Sequence, residues 1–244
     1  MSYVRYASSD FIATITIDRP DKRNALTAEI LADMAAAWAR FESSEDRVAV
    51  LTGAGPSFSA GMDVTASPAG AWTGIPNLGC PVGKPIVAAM SGACIGGAML
   101  FAMMADIIVA DETTRFLYPE GRIGQAGGVM AGMVSRLPYK IAMELMLVGD
   151  AMDARRAYEV GLVNRVVPAG QHLAVALEYA AKIAANAPMV MRTLKQFALA
   201  TLPKGPAEQL YPNLLILDRV RDSADAAEGL AASRQKRPPV FRGE

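Results

Sequence analysis

From Ile86 to Ala105 the chain carries no charged residue, and glycines at 92, 96 and 97 interrupt the run. About 20 apolar residues suffice to cross a bilayer, and Gly92 and Gly96 have the spacing of a membrane helix-packing motif. Yet the run is mostly Ala, Gly, Met and Ser, its first part is rich in strand formers, and Asp106 follows it with no basic flank. Two buried elements joined by a glycine turn account for the same residues. The stretch therefore predicts a strand and a helix at the centre of a water-soluble core.

The surrounding pattern alternates between strands and helices. Residues 11–18, FIATITID, set Ala13, Ile15 and Ile17 against Ile12, Thr14 and Thr16, the period of a strand. After the break RPDKRNALT, Thr27 stands as an N-cap, and Ile30, Leu31, Met34, Trp38 and Phe41 recur every three or four residues to give an amphipathic helix. VAVLTG (48–53), PIVAAMSG (85–92) and DIIVAD (106–111) read as short buried strands. MAGMVSRL, then YKIAMELMLVG closed by Gly149, then DARRAYEVG closed by Gly161 read as helices. LVNRVVP is a further strand, and three helical segments from about Leu173 to Gln235 finish the chain. Strands separated by helices predict an α/β architecture with its site at strand ends.

The bulk numbers narrow the chemistry. At 244 residues the chain fits one large domain, or one domain with an appendage. Its 24 basic and 24 acidic residues cancel, so no net field attracts nucleic acid or an anionic membrane. Hydrophobic residues at 52% predict further surface buried between subunits, hence a homo-oligomer. The first ten residues lack the basic start and apolar stretch of a signal peptide, so a cytoplasmic location is expected. Cys80 and Cys94 have neither metal nor redox spacing and are expected as reduced thiols, Cys94 in the core. The single histidine, His172, stands at the polar start of a helix and is expected on the solvated surface. Serine or cysteine hydrolase triads, and any metal site built on imidazoles, lack raw material.

GAGPSF (53–58) begins like a dinucleotide fingerprint but has Phe58 in place of the third glycine, and GCPVGKP lacks the Ser or Thr of a phosphate loop. Both read as plain loops. Two unusual turns remain, FSAGMD (58–63) and SGACIGGAML (91–100). Small residues let a ligand approach the backbone, and a helix start near Gly96 offers unpaired N–H groups with the positive end of a dipole. Two such turns brought together form an oxyanion hole, commonly a large contribution in acyl and enolate chemistry.

TITIDRPDKRNAL, FSAGMDV, KPIVAAMSGACIGGAMLFAMMADIIVAD and PEGRIGQAGG, in this order, resemble the enoyl-CoA hydratase/isomerase, or crotonase, family. The similarity runs from about residue 10 to SRQKRPPVF. It implies an α/β crotonase-like spiral of repeated β-β-α units over residues 1–190, with a C-terminal helical trimerisation region over 191–244. It also implies an acyl-CoA thioester as substrate, no separate cofactor, no metal, and a homotrimer or a dimer of trimers.

Carried over residue by residue, the oxyanion donors would be the N–H groups of Met62 and Gly97, with Gly61 in the first turn. Hydratases of the family use two glutamates, since adding water needs one group to activate it and another to manage the proton on carbon. The first position is Leu100 here, and the second is retained as Glu120. A single glutamate suffices for a 1,3-proton shift, so the resemblance implies a Δ3-Δ2 enoyl-CoA isomerase with Glu120 as acid and base, its pKa raised by apolar surroundings. A one-glutamate hydratase, another reaction of the scaffold (hydrolysis, decarboxylation, racemisation) and a degenerate acyl-CoA binder are the alternatives. For coenzyme A, the family pattern places Lys22 and Arg23 on phosphates, the backbones of Ala25 and Ala60 on amide and adenine groups, and Lys236 on the nucleotide. An aromatic residue expected before that lysine is Ser233. The segment between Asp63 and Lys84 is short and lines the acyl pocket in the family, where Trp72 would face the acyl tail or pack its own loop.

Overall fold

The computed structural model describes residues 2–63, 65, 70, 72–125 and 128–244. Residues 64, 66–69 and 71 of the segment that follows Asp63 and residues 126 and 127 of the PEGRIGQAGG motif lie outside the described residues.

A six-stranded sheet forms the frame. Its strands are β1 (Val4–Ser9), β2 (Ile12–Ile17), β3 (Val48–Gly53), β4 (Ile86–Met90), β6 (Ile107–Asp111) and β9 (Arg165–Val167), in the order β1-β2-β3-β4-β6-β9. β1 runs antiparallel to β2 and the remaining pairs are parallel. On one face lies α1 (Ala28–Ser43), capped by the Thr27 hydroxyl on Ile30 N–H, with Ile30, Leu31, Met34, Trp38 and Phe41 buried as its spacing predicts. On the other lies α5 (His172–Ala184), whose Ala176, Ala180 and Ala184 form a small-residue stripe against Val48, Val50, Val87 and Val109. Covering both faces explains why β3 and β4 are buried at every position.

A second, three-stranded sheet is built from β5 (Ala93–Ile95), β7 (Arg115–Leu117) and β8 (Met152–Asp153). Each of β4 and β6 turns sharply at its end and sends the chain into this second layer, β4 to β5 and β6 to β7. After β3, Ser59 makes the equivalent step as an isolated bridge to Cys94. Ser59, Cys94 and Phe116 therefore stand in one lateral row, one from each winding of the chain. This row is the spiral of β-β-α units, and it is what aligns the site.

α2 (Met99–Met104) continues a 3-10 turn over Gly96–Ala98, and all six of its residues are buried. The remaining helices are α3 (Tyr139–Met143), α4 (Ala154–Glu159), α6 (Pro188–Thr201), α7 (Pro206–Arg221) and α8 (Ala224–Gln235). No helix among the described residues is long and apolar enough to cross a membrane.

Three sequence expectations change. Residues 128–135 form 3-10 turns rather than an α-helix, since Gly128 and Gly132 weaken α geometry and Gly132 leaves room for the buried Glu208 carboxylate. The tail holds four helices, not three, because Pro188 and Pro206 each restart a helix at its first position. His172 is not a solvated residue: its side chain is 13% exposed and Nδ1 lies 3.2 Å from the buried Asp111 Oδ2, because the first turn of α5 abuts the end of β6.

Candidate active site

The lateral row fixes three chain positions, and the site lies just beyond each of them. Met62 and Gly97 follow Ser59 and Cys94 by three residues, and Glu120 follows Phe116 by four. All three line one cavity of about 690 Å³, together with Ala60, Gly61, Leu100 and Trp72.

Met62 is held by pairing with Leu26. Leu26 N–H donates to Gly61 O at 2.8 Å, and Asp63 N–H donates to Leu26 O at 2.9 Å. Since a strand residue alternates direction, the N–H of Met62 itself points away from Leu26. Gly61 has φ +88, and a β-carbon there would press into the Ile95 carbonyl and stand 3.7 Å from Gly97 N. Only glycine lets the two turns approach this closely. The Met62 side chain completes the contact by packing against Gly97, with Cγ 3.0 Å from the β-carbon position. Gly97 lies in the first turn of the 3-10 and α2 unit, where N–H groups have no partner within the helix.

Glu120 opens a 3-10 turn, Glu120–Ile123, that Gly124 closes in the left-handed region. Its Oε2 is buried and makes no hydrogen bond among the described residues. Burial pushes its carboxyl above the usual glutamate range, partly offset by its own backbone N–H. Among the described residues it is the only carboxylate in the cavity wall, and no Lys, Arg or His shares that wall. Leu100, 7% exposed, contributes only apolar surface.

The chain matches the enoyl-CoA hydratase/isomerase family model over residues 7–244. It belongs to that family. At 33% identity over 96% of this chain and 97% of the relative, it is similar to (E)-benzylidenesuccinyl-CoA hydratase of Thauera aromatica. At 34% identity over 95% of each chain it is similar to carnitinyl-CoA dehydratase of Proteus mirabilis. The crystal structure of an enoyl-CoA hydratase from Mycobacterium tuberculosis covers 100% of both chains at 35% identity, with a TM-score of 0.78. As a member of this enoyl-CoA hydratase/isomerase family, the protein is an acyl-CoA enzyme on the crotonase fold.

Of the residues assigned to coenzyme A, Ala60 lines the cavity, whereas Lys22, Arg23, Ala25 and Lys236 lie apart from its wall. Lys22 and Arg23 are exposed, and Arg23 O accepts the Ala60 N–H at 2.9 Å, which ties the DKRNAL segment to the first turn. Ala25 is half-buried, its N–H donating to Lys22 O and its carbonyl accepting from Arg19. Lys236 is exposed at the left-handed end of α8.

Two features have no counterpart in the sequence reading. Asn24, fully buried, donates to Ala54 O and Ser57 O and accepts from Arg19 N–H, so it sets the turn that carries Arg23 and Ala25. Tyr211, from α7, reaches the cavity wall and stacks on Trp72. A tyrosine inside a mixed helical sequence gives no local signal of such a contact.

Proposed function

We propose that the protein is a Δ3-Δ2 enoyl-CoA isomerase. The observation that carries this reading is the presence of Glu120 and Leu100 in one cavity wall, where among the described residues a single carboxylate stands with a residue that cannot transfer protons. The thioester carbonyl would accept the N–H groups of Met62 and Gly97, which stabilise the negative charge that develops on its oxygen. Glu120 takes the proton from carbon 2 of a 3-enoyl thioester, and the electron pair moves into the enolate. The same carboxyl returns that proton to carbon 4 as the double bond settles between carbons 2 and 3. Proton and electrons balance within the substrate, and no cofactor is required. A raised carboxyl pKa suits both halves, since one group must accept and then donate near neutral pH.

In this reading Lys22 and Arg23 pair with the phosphates of coenzyme A, Lys236 reaches its nucleotide, and the backbones of Ala25 and Ala60 hold its amide and adenine groups. The C-terminal helices would join three subunits into a cytoplasmic homotrimer or a dimer of trimers. Exposed Phe197, Leu217, Val220 and Leu230 on those helices support this assembly.

A second reading, hydration, is favoured by the names of the relatives, which are hydratases and dehydratases. Incubation of the purified protein with 3-enoyl-CoA and 2-enoyl-CoA esters separates the two. Conversion of the 3-enoyl to the 2-enoyl ester is the expected result. Rapid 3-hydroxyacyl-CoA formation without a double-bond shift would make the protein a hydratase.

A further inference from the structure

Trp72 and Tyr211 lie face to face, ring centroids 4.7 Å apart and planes 9° from parallel. They come from distant parts of the chain, one from the short segment after the first turn and the other from α7. Both rings line the cavity that holds Glu120, where Ile123, Val129 and Met130 add apolar surface. We propose that this stacked pair recognises the acyl end of the substrate and selects a flat, uncharged, ring-bearing acyl group. The proposal rests on the acyl-CoA reading above and adds the chemical class of the acyl group.

The physical reasons are three. Aromatic faces attract an offset flat ring beyond what area burial alone provides. Two rings already stacked on each other lose little freedom when a third group arrives, so the wall is preorganised. An acyl group ending in a carboxylate would be desolvated with no cation in the wall, among the described residues, and would share the cavity with Glu120. A short straight chain would leave both rings uncovered.

Isothermal titration with saturated CoA esters, which undergo no double-bond chemistry, tests this without reference to turnover. The probes are 3-phenylpropanoyl-CoA, butanoyl-CoA, glutaryl-CoA and 4-(trimethylammonio)butanoyl-CoA. The phenylpropanoyl ester should bind about tenfold tighter than the butanoyl ester, and the glutaryl ester more weakly than either. In Trp72→Ala and in Tyr211→Ala the phenylpropanoyl-to-butanoyl ratio should fall to near unity, and in Tyr211→Phe it should be retained, with circular dichroism reporting that each variant is folded. Equal affinity for the phenylpropanoyl and butanoyl esters, a ratio that survives both alanine variants, or tighter binding of the glutaryl or cationic ester would each overturn the proposal. Failure of every ester to bind would remove the acyl-CoA reading itself. Binding without ring preference would remove only this inference.

Discussion

The Oε1 atom of Glu120 lies 2.7 Å from the point where a β-carbon on Gly96 would sit. The Glu120 carboxyl is therefore seated on a bare backbone, directly before Gly97, the second proposed oxyanion donor. Gly96 also has φ +54, which side-chain-bearing residues rarely adopt. Gly96→Ala should displace the carboxyl and strain the turn together. A drop in kcat is expected, with stability lower by about 1–2 kcal/mol, measured by steady-state kinetics and urea unfolding. Full activity would show that the carboxyl position does not matter to the reaction.

Glu120→Gln removes the proposed proton acceptor while keeping the shape. Loss of a general base lowers the rate by about 10²–10⁴-fold, with binding of saturated acyl-CoA retained. The pH dependence of stability carries a second test. Burial raises the Glu120 pKa in the folded protein, so its stabilising contribution is present at low pH, where the carboxyl is neutral, and is lost as pH rises through the folded value. The glutamine variant should melt higher than the parent at neutral pH and should lose that advantage below the ordinary glutamate range. Parallel melts across pH 3–8 decide the point; an advantage of the same size at every pH would contradict the burial of the charge.

Leu100→Glu places a second carboxyl in the cavity wall. Gain of measurable hydration of 2-enoyl-CoA is the expected outcome, followed by 3-hydroxyacyl-CoA formation. Stability should fall, because Leu100 is 7% exposed and a carboxylate there has no cation beside it among the described residues. Absence of hydration in a folded variant would show that a carboxyl at this position is not enough.

Asp63 anchors the turn that carries Met62. Its carboxyl accepts from the Thr65 hydroxyl and from Arg19 at 3.0 Å, and these hold its pKa down from 3.8 to about 2. Its contribution is present above the ordinary aspartate value and is lost only as pH falls through about 2. Asp63→Asn should lower kcat/KM by loosening the Met62 backbone and should lower the melting temperature at neutral pH, and the parent should keep this anchor at pH 4. Kinetics and melts of both proteins check it, and an unchanged kcat/KM would detach the anchor from catalysis.

Elements that carry their own pattern were legible in the sequence. The apolar face of α1, the Thr27 cap, and the buried runs of β3, β4 and β6 follow from spacing alone. β1 was not, because its residues are half-exposed or exposed and apolar and polar residues alternate only over Val4, Arg5 and Tyr6, too short a run to mark a strand. β5 and β7 were hidden for a different reason: three residues each are too few to form a period, and their strand character comes from pairing with each other. His172 and Tyr211 escaped because their surroundings are supplied by distant segments, Asp111 and Trp72.

The sequence by itself determined the chemistry available to this protein: two glycine-rich turns able to expose backbone N–H groups, a glutamate after the third winding and, by the family resemblance, a leucine at the position of a second carboxylate. Tertiary structure decided that these belong to one site. Met62, Gly97 and Glu120 share a cavity because Ser59, Cys94 and Phe116 stand in lateral register. That register is set by hydrogen bonds between windings far apart in the chain, which no local pattern of residues encodes.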